Sequence, residues 1–134
     1  MKSIQLPRTL VNQLLTQAQC HADIEVCGLI SAKANQPVKV YPVDNISSDQ
    51  QHLFEMDPEE QIQAMKTMRE NDEQLFAIYH SHPDTPAEPS VKDITQSSYP
   101  ETLYLIISLS TKGVLEIKGF YIRDNDIETV ELII

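Results

Sequence analysis

The stretch YHSHPDTPAEPSVKD, residues 79–93, holds two histidines, three prolines and three acidic residues in fifteen positions. Continuous apolar runs flank it, LFAIY at 75–79 and LYLIISL at 103–109. Such runs are typical of strands covered on both faces of a sheet. The prolines prevent the first strand from extending, so the chain must leave the sheet and return. SVKDITQSS at 90–98 then predicts a short helix before the second run.

The rest of the chain alternates helix and strand patterns. Apolar spacing predicts a helix from Pro7 to about Cys20. Asp57-Pro58 predicts the start of a second helix, whose buried face continues through Ile62, Met65 and either Met68 or Arg69. Further strands are predicted at 26–32, 37–45, within 114–124 with one wetter face, and at 127–134. We therefore expect one domain over residues 1–134, of the α/β class, with a mixed sheet flanked by helices.

Composition narrows the class of partner. The 134 residues carry 10 basic and 20 acidic side chains, for a formal charge of −10, which argues against nucleic acid and anionic membranes as partners. The negative charge either keeps the protein soluble or attracts a basic or mixed-charge partner. No apolar run reaches a membrane span, and the first residues lack a signal-peptide pattern. Cys20 and Cys27 fit two reduced thiols, with Cys27 in the core, so a cytoplasmic protein is expected.

Two histidines at the end of a buried strand predict a metal site. Residues i and i+2 of a strand project from the same face, so His80 and His82 point at one spot. Zinc binds histidine pairs and commonly takes a carboxylate as a third ligand in catalytic sites, and Asp93 is the best candidate. Three protein ligands leave a position for water, which is typical of a catalytic centre with one Zn²⁺ per chain.

Simpler interpretations exist for each part of this pattern. Ser90-x-x-Asp93 is also a capping box, and Asp93 could not fully serve both a cap amide and zinc. A histidine pair on a strand is often only hydrogen bonded at the surface. If both simpler interpretations were right, a capping box and an unrelated histidine pair would have to occur by chance in the same loop. We therefore favour the metal site. A purely structural zinc, closed by a distant residue such as Cys27, stays open as an alternative.

These residues resemble the signature of the JAMM (MPN-plus) zinc metalloproteases. The matching pattern is His80-Ser81-His82-Pro83, six residues, Ser90, two residues and Asp93. That family also has an upstream glutamate in a short apolar strand, and EVCGLI at 25–30 supplies Glu25 with a following Cys-Gly-Leu. The resemblance runs from the first helix through LYLIISL. The zinc deaminase pattern, H-x-E followed by P-C-x-x-C, is absent.

The resemblance implies both a fold and a set of roles. The fold would be a cytidine-deaminase-like α/β sandwich, the JAMM/MPN fold. His80, His82 and Asp93 would be the zinc ligands, and Glu25 would be general base to the zinc-bound water and then acid to the leaving amine. Ser90 would donate a hydrogen bond to the oxyanion or orient the water. Gly28 within an apolar run suggests close backbone approach by substrate.

The implied activity is that of a zinc-dependent peptidase or isopeptidase. It would hydrolyse an amide bond after the C-terminal tail of a ubiquitin-like protein. The short chain resembles prokaryotic-type members, whose expected substrates are small ubiquitin-fold sulfur-carrier proteins. The alternative is a non-catalytic MPN-type binding or scaffold module. His21 and His52 lie outside the ligand spacing, and we expect both to be polar surface or helix-end residues.

Overall fold

A computed structural model describes residues 2–111 and 113–134. Its centre is a seven-stranded mixed sheet with the strand order β1-β7-β6-β5-β4-β2-β3. The strands are β1 Ser3–Gln5, β2 Cys27–Lys33, β3 Gln36–Val43, β4 Gln74–His82, β5 Leu103–Ser108, β6 Glu116–Arg123 and β7 Asp126–Ile133. The helices are α1 Arg8–Cys20, α2 Pro58–Glu70 and α3 Val91–Gln96.

Most neighbouring strands in the sheet are antiparallel. The exceptions are β1 with β7 and β4 with β5, which are parallel. A parallel pair needs a crossover connection, and α3 lies in the one that joins β4 to β5. The histidine-bearing end of β4 therefore opens directly into the loop and helix that carry Ser90 and Asp93.

Helices cover both faces of the sheet. On one face, Leu14 of α1 packs with Ile30, Tyr79 and Leu105 of the sheet, all fully buried. On the other face, α2 and α3 pack over a second cluster, which includes Leu29, Ala64, Met68, Ile78, Ile94 and Ile106. Successive residues of a strand alternate between faces, so Tyr79 lies under α1 while Ile78, His80 and His82 lie on the α2 and α3 side.

Local sequence signals explain several element boundaries. Ala34 and Asn35 join β2 to β3 with φ of 49° and 64°, as a two-residue type I′ hairpin turn requires. Helix α2 begins where Asp57 Oδ1 accepts the Glu59 N–H at 2.9 Å, with Pro58 at the first helical position.

The predicted α/β class with a mixed sheet and flanking helices is confirmed, and three details differ. Strand β1 was not predicted, because its three residues carry no pattern and are held by pairing with β7. Ile62 was predicted on the buried face of α2 but is 67% exposed, and Ala64 is buried instead. Strand β6 was expected to have a wetter face, yet Phe120 and Ile122 are buried against the α2 side.

No helix within residues 2–111 and 113–134 has the length and apolar character needed to span a bilayer.

Candidate metal centre

Four side chains converge where β4 ends. Ligand atoms of Glu25, His80, His82 and Asp93 all lie within 4.8 Å of one another. Within this group, the Nε2 atoms of the two histidines are 3.1 Å apart, and each is 3.1 Å from Asp93 Oδ2. His80 and His82 are each 2% exposed. Three atoms with lone pairs therefore meet at one buried point.

The loop after β4 holds the histidine rings in place. The Nδ1 atom of His82 lies 2.8 Å from the Pro86 carbonyl, so Nδ1–H donates to this oxygen and the Nε2 lone pair of a neutral ring faces the group. The His80 ring stacks on Phe54, with ring centroids 4.4 Å apart and an interplanar angle of 21°. The His82 ring is thus held by a hydrogen bond and the His80 ring by stacking.

The capping contacts at the start of α3 orient the side chain of Asp93, the third predicted ligand. Ser90 Oγ accepts the Asp93 N–H at 3.0 Å, and Asp93 Oδ2 accepts the Ser90 N–H at 2.9 Å, which makes a complete capping box. The oxygen of Asp93 that serves the cap is the same oxygen that faces both histidines. The cap itself therefore orients the Asp93 carboxylate toward the two histidines.

Burial and mutual hydrogen bonding set the charges of this group. Burial lowers the pKa of His80 below its ordinary value. Burial opposes charge on His82 as well, but the hydrogen bonds that its protonated ring donates to Asp93 and to the Pro86 carbonyl raise its pKa overall. Burial would raise the pKa of Asp93, yet hydrogen bonds from the two histidines outweigh it and hold the pKa well below its usual range. Asp93 is therefore an anion.

The donor set fits a divalent metal ion. Ligand atoms arranged tetrahedrally about zinc lie roughly 3.3–3.4 Å apart, given bonds of about 2.0–2.1 Å. The three separations of 3.1 Å are close to that spacing. Asp93 and Glu25 bring two carboxylates into one buried group, and a divalent cation would balance them. Cys27 is not part of the group, since its Sγ contacts the Val43 carbonyl at 3.4 Å.

Backbone contacts on both sides anchor Glu25 just before β2. Its N–H donates to the Gln50 carbonyl at 2.7 Å, and its own carbonyl accepts from Asn45 Nδ2 at 2.9 Å. Next to it, the Val26 N–H donates to Ser81 Oγ at 2.9 Å, and the Val26 carbonyl accepts the Ser81 N–H at 2.9 Å. The carboxylate is thereby held within 4.8 Å of the ligand atoms of His80, His82 and Asp93.

The environment of Glu25 tunes its acidity. Burial, which outweighs the attraction of nearby His82, raises the pKa of this carboxyl from 4.5 to about 7. A group with a pKa near neutrality can both accept and release a proton at the same pH.

Ser90 is exposed at the start of α3, beside the group. Its oxygen accepts the Asp93 N–H as part of the cap, and a hydroxyl that accepts through its oxygen still has its proton to donate. Ser90 can therefore cap α3 through its oxygen and donate a hydrogen bond to a bound carbonyl at the same time.

Residues predicted to lie outside the site do lie outside it. His21 is exposed at the end of α1, and His52 is exposed and pairs with Asp49 at 3.0 Å.

The surroundings of Gly28 correct one expectation. Gly28 is buried, and a Cβ there would lie 2.5 Å from the Tyr41 carbonyl oxygen and 2.5 Å from the Tyr79 hydroxyl. The close approach at Gly28 is therefore made by the protein itself, not by substrate.

The sequence did not point to Asn45, Phe54 or Ser81. Asn45 follows a strand and looks like an ordinary turn residue, and Phe54 lies in a loop without periodicity. Ser81 gave a weak signal, because the residue between two same-face histidines must point to the opposite face of β4. Their contacts with Glu25, His80 and Val26 come from distant segments.

Residues 7–118 of this chain match the family model that describes prokaryotic homologs of the JAB domain. The desampylase of Pyrococcus furiosus is 31% identical over 114 residues, 84% of this chain and 78% of the relative. The CysO-cysteine peptidase of Mycobacterium tuberculosis is 27% identical over 117 residues, 86% of this chain and 80% of the relative. The desampylase of Haloferax volcanii is 31% identical over 86 residues, 63% of this chain, and the match spans 62% of that relative's length.

Solved structures show the same architecture. A solution structure from Desulfitobacterium hafniense superposes with a TM-score of 0.85 at 34% identity, covering 96% of this chain and 90% of the other. The crystal structure of a JAB1/MPN domain protein from Archaeoglobus fulgidus superposes with a TM-score of 0.60 at 15% identity, covering 99% and 100%. At that identity the second likeness shows the fold alone, and it confirms the expected JAMM/MPN fold.

Proposed function

The chain belongs to the prokaryotic JAB-domain family, and from that membership we propose that it is a zinc-dependent peptidase or isopeptidase. The proposed reaction is hydrolysis of an amide bond after the C-terminal tail of a ubiquitin-like protein of the sulfur-carrier type. The observation that carries the proposal is the buried group of two histidines and one aspartate, with a second carboxylate facing it.

His80, His82 and Asp93 would hold the metal, in a cage that their hydrogen bonds to Pro86 and Ser90 already orient. Zinc bound there would lower the pKa of a water toward about 7 and polarise the substrate carbonyl. The contacts that orient the three side chains favour this role, because hydrogen bonds to ligating residues set their orientation in metal sites.

Glu25 would accept the proton of the attacking water and then release it to the leaving amine. Its burial and its raised pKa suit a group that must carry a proton between two steps. Ser90 would donate a hydrogen bond from its hydroxyl to the carbonyl oxygen as negative charge develops there, or would orient the water. Neither side chain is needed as a metal ligand in this scheme.

The names of relatives support a protein conjugate as the substrate. Besides the CysO-cysteine peptidase, a probable TtuB-protein conjugate cleaving protease of Thermus thermophilus is 30% identical over 94 residues, 70% of this chain. The substrate of the present chain is proposed by likeness to these proteins. The second candidate function, a scaffold module, would require a site that neither binds metal nor turns over.

The test is a cleavage assay controlled by a chelator. Ubiquitin-fold carrier proteins with C-terminal extensions are incubated with the parent and with Glu25→Gln, and the products are identified by mass spectrometry. The parent should cleave, chelator should abolish cleavage, and Glu25→Gln should be slower by about 10²–10⁴-fold while retaining zinc. Equal rates for parent and Glu25→Gln would contradict the mechanism.

Elemental analysis after purification with ample zinc separates the two candidate functions. One zinc per chain supports the peptidase, and none supports the scaffold. Zinc without cleavage of any carrier would leave the metal site standing and remove the proposed substrate.

A further inference from the structure

One buried side chain organises the loop between β3 and α2. Asn45 is 7% exposed, and its Nδ2 donates to the carbonyls of Glu25 and Leu53, each at 2.9 Å. Its Oδ1 accepts the N–H groups of Ser47 at 3.0 Å and Glu55 at 3.1 Å. A single carboxamide thus satisfies two backbone acceptors and two backbone donors.

The same loop also hydrogen bonds to the backbone N–H of Glu25. The Gln50 carbonyl accepts the Glu25 N–H at 2.7 Å, and Gln50 Nε2 donates to the Asn45 carbonyl at 2.6 Å. Both backbone polar groups of Glu25 are therefore bonded to a loop that folds around Asn45. A shift of this loop would move Glu25 with it.

Two of the three proposed metal ligands depend on contacts outside this loop. His82 is fixed by Pro86, and Asp93 is fixed by the cap with Ser90. The strand that follows Glu25 is tied to β4 through Val26 and Ser81. His80 is held by the pairing of β4 with β2 and β5, although its ring also stacks on Phe54 in the Asn45 loop. Loss of the Asn45 carboxamide would therefore displace Glu25 and leave His82, Asp93 and the backbone of His80 in place.

We propose that Asn45 is a positioning residue for Glu25, a role that rests on the proposed function. The position requires two N–H donors and one acceptor oxygen on the same short side chain, and among the natural side chains of this length only asparagine carries both. Aspartate would have nearly the same shape but would turn an oxygen toward the carbonyls of Glu25 and Leu53.

The first test is kinetic. Asn45→Ala and Asn45→Asp should lower kcat by about 10–100-fold, because a misplacement of about 1 Å has an effect of that size. KM and zinc content should stay at the parental values. Asn71→Ala is the matched control, since it removes an Nδ2 hydrogen bond to the Thr67 carbonyl at the exposed end of α2. The control should keep the parental kcat.

A double-mutant cycle separates positioning from general loss of structure. If Asn45 acts through Glu25, the variant Glu25→Gln/Asn45→Ala should be no slower than Glu25→Gln alone. If the two losses multiply, or if kcat of Asn45→Ala equals that of the parent, the proposal is overturned. Zinc loss in Asn45→Ala would overturn it too, because the ligand group would then depend on the same side chain.

A second test needs no activity. Amide hydrogen exchange in Asn45→Ala should be faster than in the parent at Glu25 and Glu55 and unchanged at Leu105 in the buried strand β5. Unchanged exchange at Glu25 would overturn the proposal even if no substrate is cleaved. Should Asn45→Ala fail to fold, Gln50→Ala replaces it, because Gln50 is exposed and its loss removes only the hydrogen bond to the Asn45 carbonyl. It should also speed exchange at Glu25, and no change there would overturn the proposal.

Discussion

Asp93 and Ser90 hold each other at the start of α3, through an N–H of each and an oxygen of each, at 2.9 and 3.0 Å. The Asp93 oxygen in this exchange is also the one that faces His80 and His82. Helix capping and the geometry of the candidate metal centre therefore meet in one carboxylate, and substitutions there can separate the two.

Asp93→Asn should weaken zinc binding by more than about 100-fold, beyond the range typical of residues that only orient ligands. Asparagine keeps an oxygen that can accept the Ser90 N–H, so α3 should remain folded while the negative charge is lost. The affinity is measured by competition with a chromogenic chelator. Asp84→Asn, an exposed acid in the same loop, is the control and should bind zinc as the parent does.

Ser90→Ala should lower kcat by up to about 10²–10³-fold through loss of a hydrogen bond to the oxyanion. It should also cost about 1 kcal/mol of stability through loss of the cap. Urea denaturation and steady-state kinetics measure the two effects separately. Ser90→Thr keeps the hydroxyl and should restore most of both. A kcat for Ser90→Ala equal to that of the parent would exclude the oxyanion role.

Gly28→Ala should destabilise the protein by about 1–3 kcal/mol or more, since a buried Cβ forces the structure to shift. The new atom would lie 2.5 Å from the Tyr41 carbonyl oxygen, which is backbone, and 2.5 Å from the Tyr79 hydroxyl. Gly119→Ala is the control, because its Cβ would meet the movable end of Leu132 at 3.0 Å. Urea denaturation should show the smaller loss at Gly119, and a larger loss there would contradict this explanation.

The Cys27 thiol should resist alkylation in the folded protein, whereas the exposed Cys20 should react. Burial raises the pKa of Cys27 from 9.0 to about 12. A raised pKa means that the fold favours the neutral thiol, so this contribution to stability is complete below pH 9 and declines as the pH rises toward 12. Mass spectrometry after iodoacetamide treatment at pH 8 should find one label on the native chain and two in denaturant. Two labels on the native chain would refute the prediction.

The spacing of residues 79–93 predicted much of the candidate site, because the contacts that build it are local. His80 and His82 share a face through strand periodicity, and Asp93 follows from a capping pattern three residues after Ser90. Local rules of this kind are visible in one sequence. Glu25, more than fifty residues upstream, was found only through resemblance to a family.

The contacts that the sequence could not reveal are all non-local. Asn45 reaches Glu25 across twenty positions, and Ser81 reaches Val26 across fifty-five. Strand β1 exists through pairing with residues 131–133. The exposure of Ile62 and the burial of Phe120 depend on which neighbours cover them, and periodicity within one element does not determine this.

Helix α3 has six residues, too few to persist in water without tertiary support. Its first turn is fastened by Asp93, the carboxylate that also faces the histidines. An ion held by the proposed ligands would therefore be linked to order in this segment, since each would stabilise the other by the same free energy. Removal of such an ion should speed backbone hydrogen exchange in α3, and return of the ion should slow it again.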